Sequence, residues 1–326
     1  MKKFLAWIGT ATLVLGLAAD TARAQVPMVD GNLPVYRPVS SLNGELTIAG
    51  SDAMMQLAGV WVQQFSEFYP NVKFNLVSAS STRSVEAVRD KQAHFALMSR
   101  EVLPEEIVDF KKVTGHDPTI VISSMERIAV LVNAQNPVES LTLAQLDSIF
   151  SATRKRGGQA PANWSALGTK LNAPVKVVLR DEPTGAPASF RQIVMDREEF
   201  RPDTAKMDSY ISVAKTVAAE PGAISFAGNM YMLRGTKDVP IAIAEGQKAI
   251  AVDSPEADNG QYPLIRPQHM LVNYDPKTPP SEAEKEFYKF IFSTMGQEGV
   301  VKSGFQPITS APAHVALEAV GLNSLN

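Results

Sequence analysis

Four short polar turns hold the residue types in this chain best suited to grip a small anion. They are Gly50-Ser51-Asp52, Ser80-Ser81-Thr82, Ser99-Arg100, and Arg180 followed by Thr184-Gly185-Ala186. Each stands where an apolar, strand-like run hands over to a helix or a loop. The first residues of a helix leave backbone N–H groups without intrahelical partners and lie at the positive end of the helix dipole, so hydroxyl-rich turns there suit an oxyanion. One such turn is ordinary N-capping. Four of them between residues 50 and 186, two carrying arginine, predict a convergent anion site.

Other chemistries find less support. The histidines, His94, His116, His269 and His314, show no metal-ligand spacing, so neither a metal nor a cofactor is expected. Ser51 lies in Ala-Gly-Ser-Asp rather than in a G-x-S-x-G elbow, and no triad partner is recognisable. The chain is therefore read as a non-enzyme. A phosphatase-like hydrolase of phosphorylated compounds and an exoprotein without a transport role are the alternatives. Glu105-Glu106 and Glu198-Glu199 read as solvated helix-surface charges, and Met54-Met55 as core.

The N-terminus reads as an export address. Lys2 and Lys3 precede an apolar stretch from Phe4 to Ala19, and Ala22-Arg23-Ala24 forms an A-x-A cleavage signal, predicting a cut after Ala24 and a periplasmic protein. No other stretch approaches the roughly 20 apolar residues that span a bilayer. The chain has no cysteine, which excludes disulfides, thiolate chemistry and a lipid-modified cysteine. Removing residues 1–24 leaves 28 basic against 33 acidic groups, a net charge of −5. A mildly acidic surface lacks the basic stripe that nucleic acid requires. Any anion site must therefore be local.

The spacing of apolar residues predicts the elements that position the turns. After an extended arm over residues 25–43, strands are expected near Leu46–Gly50, Phe74–Val77, Phe95–Met98, Ile128–Val132, Val175–Leu179, Ala223–Phe226 and Leu264–Val272. Helices are expected over 53–69, 82–90, 104–113, 141–150, 187–196, 211–219 and 281–295. Residues 153–163 read as a basic, solvated loop. The alternation predicts an α/β protein with a largely parallel sheet, and such sheets bind ligands outside the carboxyl ends of their strands. All four turns fall at those ends.

The order of these pieces resembles the periplasmic phosphate-binding proteins that feed ABC importers. The resemblance spans most of residues 44–310. It is carried by Ile48 to Asp52 before a helix with Trp61, by Ser80-Ser81 before a helix, and by Ala96 to Arg100. Asn136-Pro137-Val138 with Leu141-Thr142, Gln145-Leu146 and Ile149-Phe150 follows, then Trp164, then Arg180 with Thr184-Gly185. Pro221 to Ile224 and Tyr262-Pro263-Leu264 complete it. The resemblance implies a two-lobed, periplasmic-binding-protein-like (type II) fold, with lobe I over 44–124 plus 263–322 and lobe II over 125–262. It implies phosphate or a related oxyanion as ligand and an ABC permease in the inner membrane as partner; a monomer is expected. Family ligand positions fall on Ser51, Asp52, Ser81, Arg100, Arg180, Thr184, Gly185 and Ala186, and the second turn adds Thr82. Two positions depart from the pattern: Ala186 stands where threonine is common, and Arg100 where some phosphate binders carry an aspartate. Asp52 is then the carboxylate left to accept the proton that phosphate carries. Arg83 is a further cation beside the second turn.

Overall fold

The computed structural model describes residues 29–181 and 185–322. The fold opens as strand and helix in alternation: β1 (Gly44–Gly50), α1 (Asp52–Phe68), β2 (Val72–Ser78), α2 (Ser81–Arg89), β3 (Phe95–Met98) and α3 (Pro104–Thr114). β1 pairs in parallel with β2 and with β3. α1 buries Met54, Leu57, Ala58, Trp61 and Phe65 along one stripe, the helical period that its sequence announces. Phe65 packs edge-on against Phe287 and Phe290 of a C-terminal helix, which closes the core over the sheet.

β4 (Thr119–Asn133) is 15 residues long and serves two cores. After it come β5 (Leu141–Thr142), α4 (Leu143–Phe150), β6 (Lys176–Arg180), α5 (Ala186–Val194), β7 (Ala205–Met207) and α6 (Tyr210–Ala219). β8 (Ala223–Gly228), β9 (Thr236–Asp238), β10 (Ile241–Ala242) and α7 (Pro255–Asp258) follow. β11 (Ile265–Val272), α8 (Glu282–Ile291), α9 (Thr294–Lys302) and α10 (Ser310–Ala319) end the chain's regular structure. Among the described residues one nine-stranded sheet runs β2-β1-β3-β11-β4-β8-β6-β7, with β9 also on β4.

The sheet is continuous, but the hydrophobic cores are not. One core gathers residues from Ile128 to Leu264; another joins residues from Leu33 to Val121 with Met270 to Val320. The molecule is thus a mixed α/β, two-lobed, periplasmic-binding-protein-like fold. The expected parallel pairing holds for β1 with β2 and β3 and for β6 with β7 and β8, whereas β9 is antiparallel to β4. The strands between the halves run the other way: β11 is antiparallel to β3 and β4, and β4 to β8.

Two expected helix bounds need adjustment. The helix over 281–295 is two helices, because the Ser293 hydroxyl accepts from the Gly296 amide at 3.3 Å and starts α9 afresh. The helix over 141–150 starts at Leu143, where Thr142 and Gln145 form a capping box. The described part of the arm packs on the body of the protein: Leu33 and Tyr36 are buried, and the Tyr36 hydroxyl donates to Glu286 at 3.0 Å. The expected signal peptide, residues 1–24, lies outside the described residues.

Candidate functional site

Three of the four turns meet at the carboxyl ends of β1, β2 and β3. The Gly50 carbonyl accepts from the Ala79 amide at 2.8 Å, and the Leu97 carbonyl from the Ser51 amide at 3.2 Å. The Ser78 hydroxyl donates to the Asp52 carboxylate, and Arg100 Nη2 donates to Thr82 Oγ1 at 2.8 Å. The second and third turns are thus bonded to each other directly, and the first is bonded to the ends of β2 and β3 that lead into them.

Ser51 is the N-cap of α1, but its hydroxyl makes no capping bond. That oxygen is buried and has no hydrogen-bond partner among the described residues. Asp52, the first helical residue, is exposed, and its charge is favourable at the positive helix end. In the second turn the cap is Ser80, which accepts from the Arg83 amide at 3.3 Å. Ser81 and Thr82 are the first helical residues of α2, so their amides belong to the set without intrahelical acceptors. Arg83 points to solvent and pairs with Glu86 at 3.2 Å.

Arg100 is buried and already engaged. Its Nη1 donates to Glu106 Oε2 at 2.8 Å and to the Glu101 carbonyl at 2.7 Å; its Nη2 donates to Glu106 Oε1 at 2.6 Å as well as to Thr82. Glu106 is thus not the solvated surface charge expected from sequence. It folds back from α3 to Arg100, and its carboxylate also accepts from the Leu103 amide at 2.9 Å. Burial alone would raise the Glu106 carboxyl, but the bonds from Arg100 and the Leu103 amide, together with the arginine's charge, hold it below the ordinary carboxylate value.

The fourth turn belongs to the other core. β6 delivers Arg180, whose guanidinium carbon lies 5.0 Å from the centroid of the Tyr210 ring, a cation–π contact. Tyr210 in turn stacks on Tyr231 at 4.9 Å and 28°. Gly185 caps α5 at φ 67°, a conformation that favours glycine. Ala186 begins the helix with its methyl group buried. Thr184 lies outside the described residues.

A chain of contacts through the middle of the sheet joins the two halves. Arg266 on β11 donates from Nη1 to the Ser99 carbonyl at 2.7 Å and from Nε to Glu126 Oε2 at 2.6 Å. Gln268 Nε2 also reaches Glu126 Oε2, at 3.1 Å. Beyond Glu126 stands Gly228 of β8, three residues before Tyr231. Apart from Ser99, none of these residues was singled out from sequence. A signal was present: charged residues immediately before an unbroken apolar strand and within a late one demand partners. Next to Gln268, His269 is titrated down by burial, which outweighs the charge of Glu101 and a hydrogen bond with the Arg100 backbone.

The basic loop over 153–163 is laced to its own lobe. Lys155 pairs with Glu198 at 2.5 Å, and Arg156 donates to the carbonyls of Val194 and Ile193, the C-terminal end of α5. Among the described residues no cluster of His, Asp or Glu is arranged to hold a metal ion, and no helix is long and apolar enough to cross a membrane.

Comparisons with known proteins match this arrangement. The profile of the PBP superfamily domain matches residues 27–294. The chain is 31% identical over 316 residues to the phosphate-binding protein PstS of Pseudomonas aeruginosa, covering 96% of this chain and 98% of that one. Its fold is similar to that of a putative phosphate ABC transporter substrate-binding protein from Clostridium perfringens, solved with bound phosphate. The TM-score is 0.64, with 23% identity over 82% of this chain and all of the other. A phosphate transport receptor of the ABC type from Vibrio cholerae gives 0.62 at 21% identity, over 81% of this chain and all of that one.

Proposed function

Because the chain belongs to the PBP superfamily and, within it, to the phosphate-binding proteins, we propose that it captures phosphate between two lobes for an ABC permease of the inner membrane. The family is one of substrate-binding proteins, so no reaction is assigned to the site. In this reading the protein is periplasmic, released by cleavage after Ala24, and acts as a monomer. Lobe I is residues 44–124 with 263–322 and lobe II is 125–262, a division close to that between the core of residues 128–264 and the cores of the rest of the chain.

The observation that carries the reading is the Ser51 hydroxyl, buried without a partner where three turns meet at helix N-termini. Leaving a buried donor unsatisfied costs about 1–3 kcal/mol, which an oxyanion acceptor would relieve. Around it, the first amides of α1 and α2, including those of Ser81 and Thr82, supply donors from lobe I. Arg100, its charge paired with Glu106, holds Thr82 in place, and its Nε–H is directed to neither Glu106 nor Thr82. From lobe II, Arg180 brings a guanidinium, and Thr184, Gly185 and Ala186 bring a hydroxyl and the α5 amides. Asp52 accepts a hydrogen bond from the proton that phosphate carries and sulfate lacks.

Calorimetric titration with phosphate, sulfate and arsenate at two pH values on either side of neutrality tests this. Saturable phosphate binding well below millimolar is expected. Absence of binding at about 1 mM phosphate, near 4 kcal/mol of affinity, would remove the proposal. Turnover of a chromogenic phosphate ester that disappears in Ser51→Ala would favour a hydrolase instead.

A further inference from the structure

Resting on the reading of the cleft as a phosphate site, we propose that the buried Glu126–Arg266 pair is a positioning device: it holds the Ser99-Arg100 turn of the first lobe against the strand that crosses into the second, and so couples the seating of that turn to the relative placement of the lobes. Neither side chain belongs to the four turns.

The location of the pair comes first. β4 pairs with β11 up to Arg127 and with β8 from Ile128 onward. Glu126 therefore stands at the changeover from one core to the other. Arg266 is its direct partner across β11, so both side chains leave the same face of the sheet. Glu126 is 2% exposed and Arg266 5%. A buried ion pair is weak evidence of a gain in stability, because desolvating both charges offsets much of their attraction. Its retention at this point calls for a geometric reason.

The guanidinium supplies one. Its donors form a rigid plane, so engaging Nε and Nη2 on one carboxylate fixes the direction of Nη1. Both atoms contact Glu126 Oε2, and Nη1 then meets the Ser99 carbonyl at 2.7 Å. Ser99 adjoins Arg100, which carries Thr82 and hence the start of α2. On the other side, a Cβ at Gly228 would lie 2.1 Å from Glu126 Oε1, so the β8 backbone presses directly on the carboxylate. The same Cβ position lies 3.6 Å from the Tyr231 ring, which stacks on Tyr210 under Arg180. The pair thus sits between the two anion-gripping halves and touches backbone leading to each.

Two variants test this. Arg266→Lys keeps a cation for Glu126 but loses the planar fork. Glu126→Gln with Arg266→Met removes both charges together and leaves none buried alone. Each is read by phosphate affinity, by melting temperature without ligand, and by amide hydrogen exchange over residues 97–103 in the ligand-free protein. The expected result in whichever variant folds is phosphate binding weakened about ten-fold or more, equivalent to 1.4 kcal/mol. Exchange over 99–101 should be faster by a similar factor while the amides of β1 and β8 keep their protection. A folded variant with parental affinity and parental exchange at 99–101 would overturn the proposal. If the parent itself binds no phosphate, the phosphate reading fails, and the exchange measurement still decides the positioning role.

Discussion

The two halves of the proposed anion site are built differently. In the first lobe the three turns are tied together through strand ends: Gly50 to Ala79, Ser51 to Leu97 and Asp52 to Ser78, with Arg100 bonded directly to Thr82. In the second lobe the turn rests on one arginine laid over a tyrosine stack and one glycine at positive φ. The first half is a cradle whose donors are aimed before a ligand arrives; the second presents one guanidinium held over a tyrosine ring. Pre-aligned donors lose little freedom on binding, so such a half contributes geometry, while a long cation arriving by lobe closure contributes electrostatic attraction.

The comparison can be broken most forcefully at Glu106. Glu106→Ala leaves the Arg100 guanidinium buried without its carboxylate, which should cost about 3–5 kcal/mol of stability, measured by denaturant unfolding. The same pair sets an acid limb. The folded-state value of Glu106 lies below its ordinary 4.5, so its contribution is fully present above that pH and is lost as pH falls through the lower folded value. Stability measured against pH should therefore fall less steeply in Glu106→Gln than in the parent. Equal slopes would mean that the pair adds nothing.

Arg180→Ala addresses the other half. Hydrogen bonds to a charged group are worth about 1.5–3 kcal/mol each, so phosphate affinity should drop at least ten-fold. The melting temperature without ligand should fall only slightly, by the loss of a cation–π contact worth about 0.5–1 kcal/mol. Identical scattering profiles with and without phosphate would count against lobe closure.

Ser51→Ala is a smaller change that sharpens the contrast. An N-cap serine normally contributes about 1 kcal/mol to its helix, but here the hydroxyl makes no capping bond. Stability without ligand should therefore hold, while phosphate affinity falls by about ten-fold or less. A stability loss with unchanged affinity would reduce Ser51 to a helix cap. The finest effect is expected at Asp52. Asp52→Asn replaces an acceptor by a group that can donate to a sulfate oxygen, so sulfate binding should appear in the variant and be absent in the parent. Competition titration reads this directly, and a parent that already takes sulfate as readily as phosphate would remove the role.

Much of this molecule was legible in the chain itself. The strand–helix alternation, the turns at strand ends and the helical stripe of α1 follow from local period and capping chemistry, which neighbours in sequence decide. Short elements such as β7, β9, β10 and α7 left no such mark, since a run of two to four residues has no period to read. The break between α8 and α9 hung on one serine hydroxyl. What the tertiary structure alone decided is partnership. Glu106 reads as a surface charge until α3 folds it onto Arg100, and Glu126 has no partner until β11 arrives 140 residues later. The Glu126–Arg266 pair joins strands distant in sequence, and the Glu106–Arg100 pair depends on how α3 folds back over the turn, so no local apolar period encodes either; the chain specified which residues line the turns, and folding specified which of them are held, and by what.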